Sequence, residues 1–359
     1  MAYQGLDNKT DSEAEIALLA DENGRDVLLV LVKTSYDIAD DGSLSLSEEQ
    51  EPICFEGEYF GEPGQSSLKI APEANFEKLA TDVVLIGQAY APGGQAVTQF
   101  DAGLQVADLR QHIRVFGDRI WQKRTTAKRV VTWEMSAPQP IVQVPLIYEN
   151  AFGGEDLSPD EDKHYAFDPR NLIGTGVIAK NSKLDKVPLP NLEDPKQLIR
   201  SPEDRPQPVG MGFISPDWQP RLGYSGTYDE NWEKTRLPML PLDFNRTFFN
   251  AAHPRLIAQG FLQGSETIHT VNVTPQGRLS IQLPGDKPEI SFKYQHKEPK
   301  KLEVKLDTII INTDEMKLIL LWRASEDVFN RIYKMEKIIV EDVKQETPEK
   351  IPDDYDLMS

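Results

Sequence analysis

Apolar positions in the first 150 residues fall into short runs at β spacing. The run "DVLLVLVKTSYDI" (26–38) is continuous enough for a central strand, with Lys33 and Asp37 near its exit. "DVVLIGQAYAP" (82–92) reads as a second strand, closed by Pro92-Gly93-Gly94. "HIRVFGDRIW" (112–121) sets Gly117-Asp118 between two β-prone stretches, which predicts a hairpin. "RVVTWEM" (129–135) and "IVQVPLIYE" (141–149) follow. In the last, Val142, Val144, Leu146 and Tyr148 share one face by the period of two. Pro145 cannot donate to a ladder, so an edge strand or a bulge is expected there.

From 151 to 258 prolines crowd in and neither period persists. Aromatic residues are spread throughout, among them Phe152, Phe167, Phe213, Trp218, Tyr224, Tyr228, Trp232, Phe244, Phe248 and Phe249. That much aromatic surface predicts an ordered, loop-rich segment packed on the strands. Beyond it alternation returns. Leu279, Ile281 and Leu283 oppose Ser280 and Gln282, Ile290, Phe292 and Tyr294 share a face, and "KLEVKLDTIIINTDEMKLILLWR" reads as a long hairpin turning at "NTDE". An antiparallel meander with one solvated face is expected. The pattern divides the chain into a strand-rich region (1–150), the loop-rich region (151–258), a C-terminal meander (259–345) and an acidic tail expected to fray (346–359). The fold class is mainly β, sandwich or barrel-like.

Composition narrows the partners. The chain has 359 residues, with 58 acidic against 39 basic, for a net charge of −19. Length alone lets it bury roughly three-quarters of its unfolded surface without a metal or disulfide. Such a charge disfavours nucleic acid and anionic membranes, and leaves either plain solubility or a surface complementary to a basic partner. Cys54 is the only cysteine, so no intrachain disulfide is possible. No leader pattern is visible, and the longest apolar run, Val27 to Val32, is far short of a membrane span. A cytoplasmic protein is expected.

Catalytic patterns are sparse. The histidines, His112, His164, His253, His269 and His296, share no ligand spacing, so no metal or other cofactor is expected. His112 and His269 read as sheet-face residues. His164 alone sits in a loop flanked by carboxylates. Among the acids, Glu149, Asp229 and Asp243 stand beside aromatics; they could serve two-carboxylate chemistry, or cap turns and pair with Arg119, Arg221 and Arg246. No GxSxG, Walker loop, GxGxxG or HExxH occurs, and the glycines of "NLIGTGVI" lack a following helix. "YENAFGGED" (148–156) is either a binding loop or a turn; Gly153-Gly154 permit a reversal and Phe152 an anchor, which favours the turn.

The chain resembles a bacterial family of effector adaptors, or chaperones, of the type VI secretion system. Its members are encoded beside spike, PAAR-like and pentapeptide-repeat proteins. The resemblance is carried by "VLVKTSYDI", by "ATDVVLIGQAYAPGG", by Gly117, Asp118, Arg119 and Trp121 in "VFGDRIW", and by Tyr148, Glu149, Phe152, Gly153 and Gly154 in "YENAFGG". It continues through "DPRNLIGTG", "LPNLEDP", "WQPR", "GTYDENW", "RLPMLPLDFNRTFFNAAHP", "GSETIHTVNVTPQGRLSIQLP" and "DTIIINTDEMKLILLWR", from about 26 to 345 in order. Two departures could alter partner choice. Arg255-Leu256 follow His253-Pro254 in place of a more polar continuation, and "LIGTG" lacks the usual proline. The resemblance runs almost to the last residues given, and no pentapeptide array is expected.

The resemblance implies a cytoplasmic adaptor that binds a cognate effector, or its PAAR-like portion, and helps load it onto the spike tip. It implies no catalysis and no small-molecule substrate. Trp218, Arg221, Tyr224, Tyr228 and Trp232 are the expected partner-binding residues. The alternatives are a hydrolase using loop carboxylates such as Glu149 and Asp229, or a structural component of the apparatus.

Overall fold

A strand that is apolar at successive positions needs cover on both faces, and the strand Asp26–Ile38 has it. It lies in a six-stranded central sheet, between Glu13–Ala20 and Lys317–Asp327; the order continues through Lys305–Asn312 to Asp82–Ile86, with Leu44–Leu46 paired to its end. The 82–86 strand runs parallel to 305–312, with Val83 opposite Ile309; the other pairs are antiparallel. Leu28, Val30 and Val32 face the main core, while Leu31 packs with Ile53 and Leu321 on the opposite face. The computed structural model describes residues 5–125, 131–157, 165–179 and 183–343; His164, residues 129–130 and the tail from 346 lie outside them.

A second, wholly antiparallel sheet runs Leu192–Glu193, Leu109–Phe116, Gln99–Val106, Thr267–Val271, Arg278–Gln282. A third joins Leu6–Asn8, Met335–Asp342, Pro288–Tyr294 and Lys300–Lys301. Inward residues of all three, such as Val84, Ile281 and Phe292, meet in one core, each such side chain contributing about 1.5–3 kcal/mol by burial. The fold is mainly β, and no described sheet closes into a barrel.

Three expectations change. Residues 112–121 form no hairpin: Leu109–Phe116 turns back on Gln99–Val106 at Ala107-Asp108, and Trp121–Thr125 pairs with Val131–Met135. Gly117 serves close approach, since a Cβ there would lie 1.7 Å from the Gln139 carbonyl oxygen. The expected C-terminal meander is shared among the three sheets. Its 305–327 hairpin forms, but both faces are buried and its outer strand accepts 82–86. Finally, the 141–149 run ladders over Gln143–Pro145, against Gln88–Tyr90, with one further bridge from Ile141 to Val97, an arrangement that fits Pro145 at an edge. Val142 is exposed and Tyr148 lies beyond the strand, in a 3-10 turn.

The outer face of the central sheet is polar at one end, beneath residues 47–80. Lys33 pairs with Glu73 at 2.9 Å, Lys78 with Asp82 at 2.9 Å and Asp307 at 3.0 Å, and Arg323 with Asp307 at 2.8 Å, all buried. Burial opposes the charge of Lys78, but Asp307 and Asp82 outweigh it and push its pKa up. Burial likewise opposes the charge of Asp307, and Arg323 with Lys78 holds its carboxyl below the usual range.

Candidate functional site: a cavity where four motifs meet

Tyr148–Asn150 form a single turn clamped from outside. The Tyr148 amide donates to Ser67 Oγ at 2.9 Å; the Glu149 carboxylate accepts from the Ser67 amide at 2.8 Å and from its hydroxyl. Phe152-Gly153 then pairs in parallel with Thr175-Gly176. Asn171 fastens the two segments, its Nδ2 donating to the carbonyls of Tyr148 at 2.8 Å and Phe152 at 3.0 Å. Gly154 has φ 87°, and a Cβ there would lie 2.1 Å from the Gly174 carbonyl oxygen. The double glycine is required by this contact, so the stretch is a turn, and Glu149 holds it.

The same anchoring explains the Gly-Asp-Arg-x-Trp element. Asp118 accepts from Asn191 Nδ2 at 3.0 Å. Buried Arg119 pairs with Glu193, donates to the Pro190 carbonyl at 2.6 Å and lies 3.8 Å over the Phe116 ring. Trp121 joins Phe152, Val177, Ile178, Leu189 and Ile199 in a small separate core.

These anchors bring the clamped turn and four further motifs to the wall of one cavity of about 330 Å³. Tyr148 comes from the clamped turn, Arg170 from "DPRN", Asp194 from "LEDP", Gln219-Pro220 from "WQPR" and His253-Pro254-Arg255 from the end of "FFNAAHPR"; Pro208, Val209 and Ile214 complete the apolar part. Trp218 supports the Tyr148 ring edge-on at 5.6 Å. A Cβ at Gly210 would come within 2.6 Å of that ring, so the loop reaches it only through glycine. The charges are internally matched. Arg170 Nε donates to Asp168 Oδ1 at 2.8 Å, and Arg255 pairs with Asp194. Burial opposes the charge of Asp194, but the Lys196 amide and Arg255 hold its carboxyl below the ordinary range. His253 Nδ1 accepts from the Arg255 amide at 3.2 Å, and burial, aided by Arg255, pushes its pKa down to about 4. The imidazole is therefore neutral at pH 7.

The expected partner-binding set divides. Trp218 is 3% exposed and Arg221 6%, so both are interior rather than surface contacts. Arg221 donates to the carbonyls of Ile214 at 2.6 Å and Phe248 at 3.0 Å. Tyr224 is half-buried in a 3-10 turn. Tyr228 is exposed and meets half-buried Trp232 edge-on at 4.7 Å on the short helix Glu230–Thr235, near Leu242, which is 84% exposed. Tyr228 and Phe167 depart from the expectation that the aromatics of this region are buried.

The candidate carboxylates all hold turns: Glu149 as above, Asp229 as N-cap accepting from the Trp232 amide at 2.8 Å, and Asp243 accepting from the Thr227 amide at 3.0 Å. The arginines expected beside them go elsewhere, Arg119 to Glu193, Arg221 to carbonyls and Arg246 to Glu22. His112 and His269 are exposed on strand faces. Sequence reasoning missed the cavity. Its pieces, "DPRN", "LEDP", "WQPR" and "AHPR", were each visible, but they are spread over 86 positions from Arg170 to Arg255, and no period links them.

Among the described residues no helix is long and apolar enough to cross a membrane. No curated protein and no solved structure matches the chain. A match to a family does run from residue 23 to 323, over most of the chain and through every motif that builds the cavity. The chain belongs to the family described as an uncharacterized protein conserved in bacteria (DUF2169).

Proposed function

We propose that this chain is a protein-binding adaptor of the kind its motifs resemble, a cytoplasmic factor that holds a type VI secretion effector or its PAAR-like portion and assists loading onto the spike tip. One observation carries this reading: four motifs separated in sequence meet at one cavity that is largely apolar and whose arginines already have carboxylate partners. Such a site binds without needing to transfer a proton or charge. Exposed Tyr228 and Leu242 offer a second apolar contact on the same segment. Glu149, Asp229 and Asp243 are each engaged in holding a turn, which favours binding over two-carboxylate hydrolysis. Arg255, where the chain departs from the resemblance, lines the cavity and is the residue placed to set partner choice.

Binding of this kind stabilises the partner by mass action, on the order of 3–4 kcal/mol when free adaptor exceeds Kd by roughly 100- to 1,000-fold. A specific interface buries about 1,600 Å². Affinity-tagged chain expressed in its native host recovers one effector at near one-to-one stoichiometry, and deleting the gene stops that effector's secretion. Recovery of no effector, with secretion intact after deletion, refutes the reading. Persistence of the chain in the purified assembled apparatus would identify it instead as a structural component.

A further inference from the structure

The cavity's shape and charge say what it can take. Its volume, about 330 Å³, lies at the low end of the roughly 300–1,000 Å³ of ligand sites, enough for one large side chain. Val209, Ile214 and the rings of Tyr148, Pro208, Pro220 and Pro254 provide apolar wall. Arg170 is held by Asp168 and Arg255 by Asp194, so neither an anion nor a cation finds an unmatched charge. Gln207 and Gln219 also line the cavity, and a carboxamide both donates and accepts, as a peptide main chain requires on either side of an inserted side chain. A charged group placed here would lose its hydration without an opposite charge to replace it.

We infer that this cavity receives one uncharged apolar side chain presented by the partner protein, with the Gln207 and Gln219 amides meeting the flanking peptide groups. The inference rests on the protein-binding reading above and specifies the chemistry of what is bound. Engagement of a single buried anchor is how interfaces concentrate their affinity.

The test uses the full chain and four probes, the N-acetyl amides of Trp, Leu, Asp and Lys, titrated while the His253 ring resonances are followed by NMR. The Trp and Leu probes shift those resonances, and the Asp and Lys probes bind at least tenfold more weakly. Gln207 is exposed, so Gln207→Trp obstructs the cavity from its rim without entering the core. This variant melts at the wild-type temperature and loses Trp-amide binding at least tenfold. The inference is overturned if the Asp probe or inorganic phosphate binds as tightly as the Trp probe, if no probe moves His253, or if Gln207→Trp binds normally. Pull-downs separate its failure from that of the adaptor reading. A partner recovered equally by wild type and Gln207→Trp removes the inference and leaves the adaptor standing. Selective Trp-amide binding by a chain that recovers no partner makes the cavity a small-molecule site, which overturns both.

Discussion

In the central sheet, Asp26–Ile38 is laddered to Glu13–Ala20 on one side and to Lys317–Asp327 on the other. Between 148 and 258 the described strands are two residues each, and side chains take over the backbone's unpaired groups. Asn171 serves the carbonyls of Tyr148 and Phe152, Arg119 that of Pro190, Arg221 those of Ile214 and Phe248, and Asn250 Nδ2 that of Ala80. In the sheet the ladder survives a truncated apolar side chain. In the middle segment one lost amide or guanidinium orphans a buried carbonyl, such as that of Phe152, Pro190 or Ile214, at a cost of about 1–3 kcal/mol. The cavity lies in the second kind of structure, so its shape depends on a few polar side chains that do not themselves line it.

The largest effect tests whether the sheet's weak point is its charge. Asp307→Ala leaves Lys78 and Arg323 buried without their shared carboxylate, and denaturant unfolding should show a loss of about 3–5 kcal/mol. Next comes pH. Because the folded pKa of His253 lies below the ordinary 6.5, the unfolded chain binds its proton first, and stability falls as pH drops from about 6.5 to about 4. Above that window the penalty is absent. The His253 share of the loss is about 3 kcal/mol, and His253→Asn, which keeps a cap for the Arg255 amide, should flatten that part of the stability–pH curve.

Asn171→Ala, which orphans the Phe152 carbonyl, should cost about 1–3 kcal/mol and loosen the cavity, read as faster amide exchange at Tyr148 and Ala151. A sheet control, Ile281→Val, should cost about 0.5–1.5 kcal/mol and leave exchange at Tyr148 unchanged. Equal responses from the two variants would erase the contrast between the regions. Smallest of all, Leu242→Ser should alter stability by no more than about 0.5 kcal/mol while weakening partner recovery in pull-downs.

How much was legible follows the same division. The 26–38 strand matched its predicted limits, the 305–327 hairpin formed, and Leu279, Ile281 and Leu283 turned inward as their alternation predicts. Where burial on one or both faces writes a period into the chain, the element can be read from it. The sheet each strand joins could not be read, because Ile309 finds Val83 across more than two hundred residues and β spacing does not name a partner. For the same reason Lys33, Glu73, Asp82, Asp307 and Arg323 looked like ordinary charges until folding stacked them.

"YENAFGGED" shows the limit most plainly. Its double glycine announced a turn, and the turn is there. That Gly154 must clear the Gly174 carbonyl, that Glu149 grips Ser67, and that Tyr148 becomes a wall shared with His253 and Arg255 required the tertiary structure. Local sequence determined the strands and turns, since backbone sterics and side-chain period act over a few residues. The cavity and the buried ion network were decided only in three dimensions, because both depend on burial and on charges meeting from distant positions.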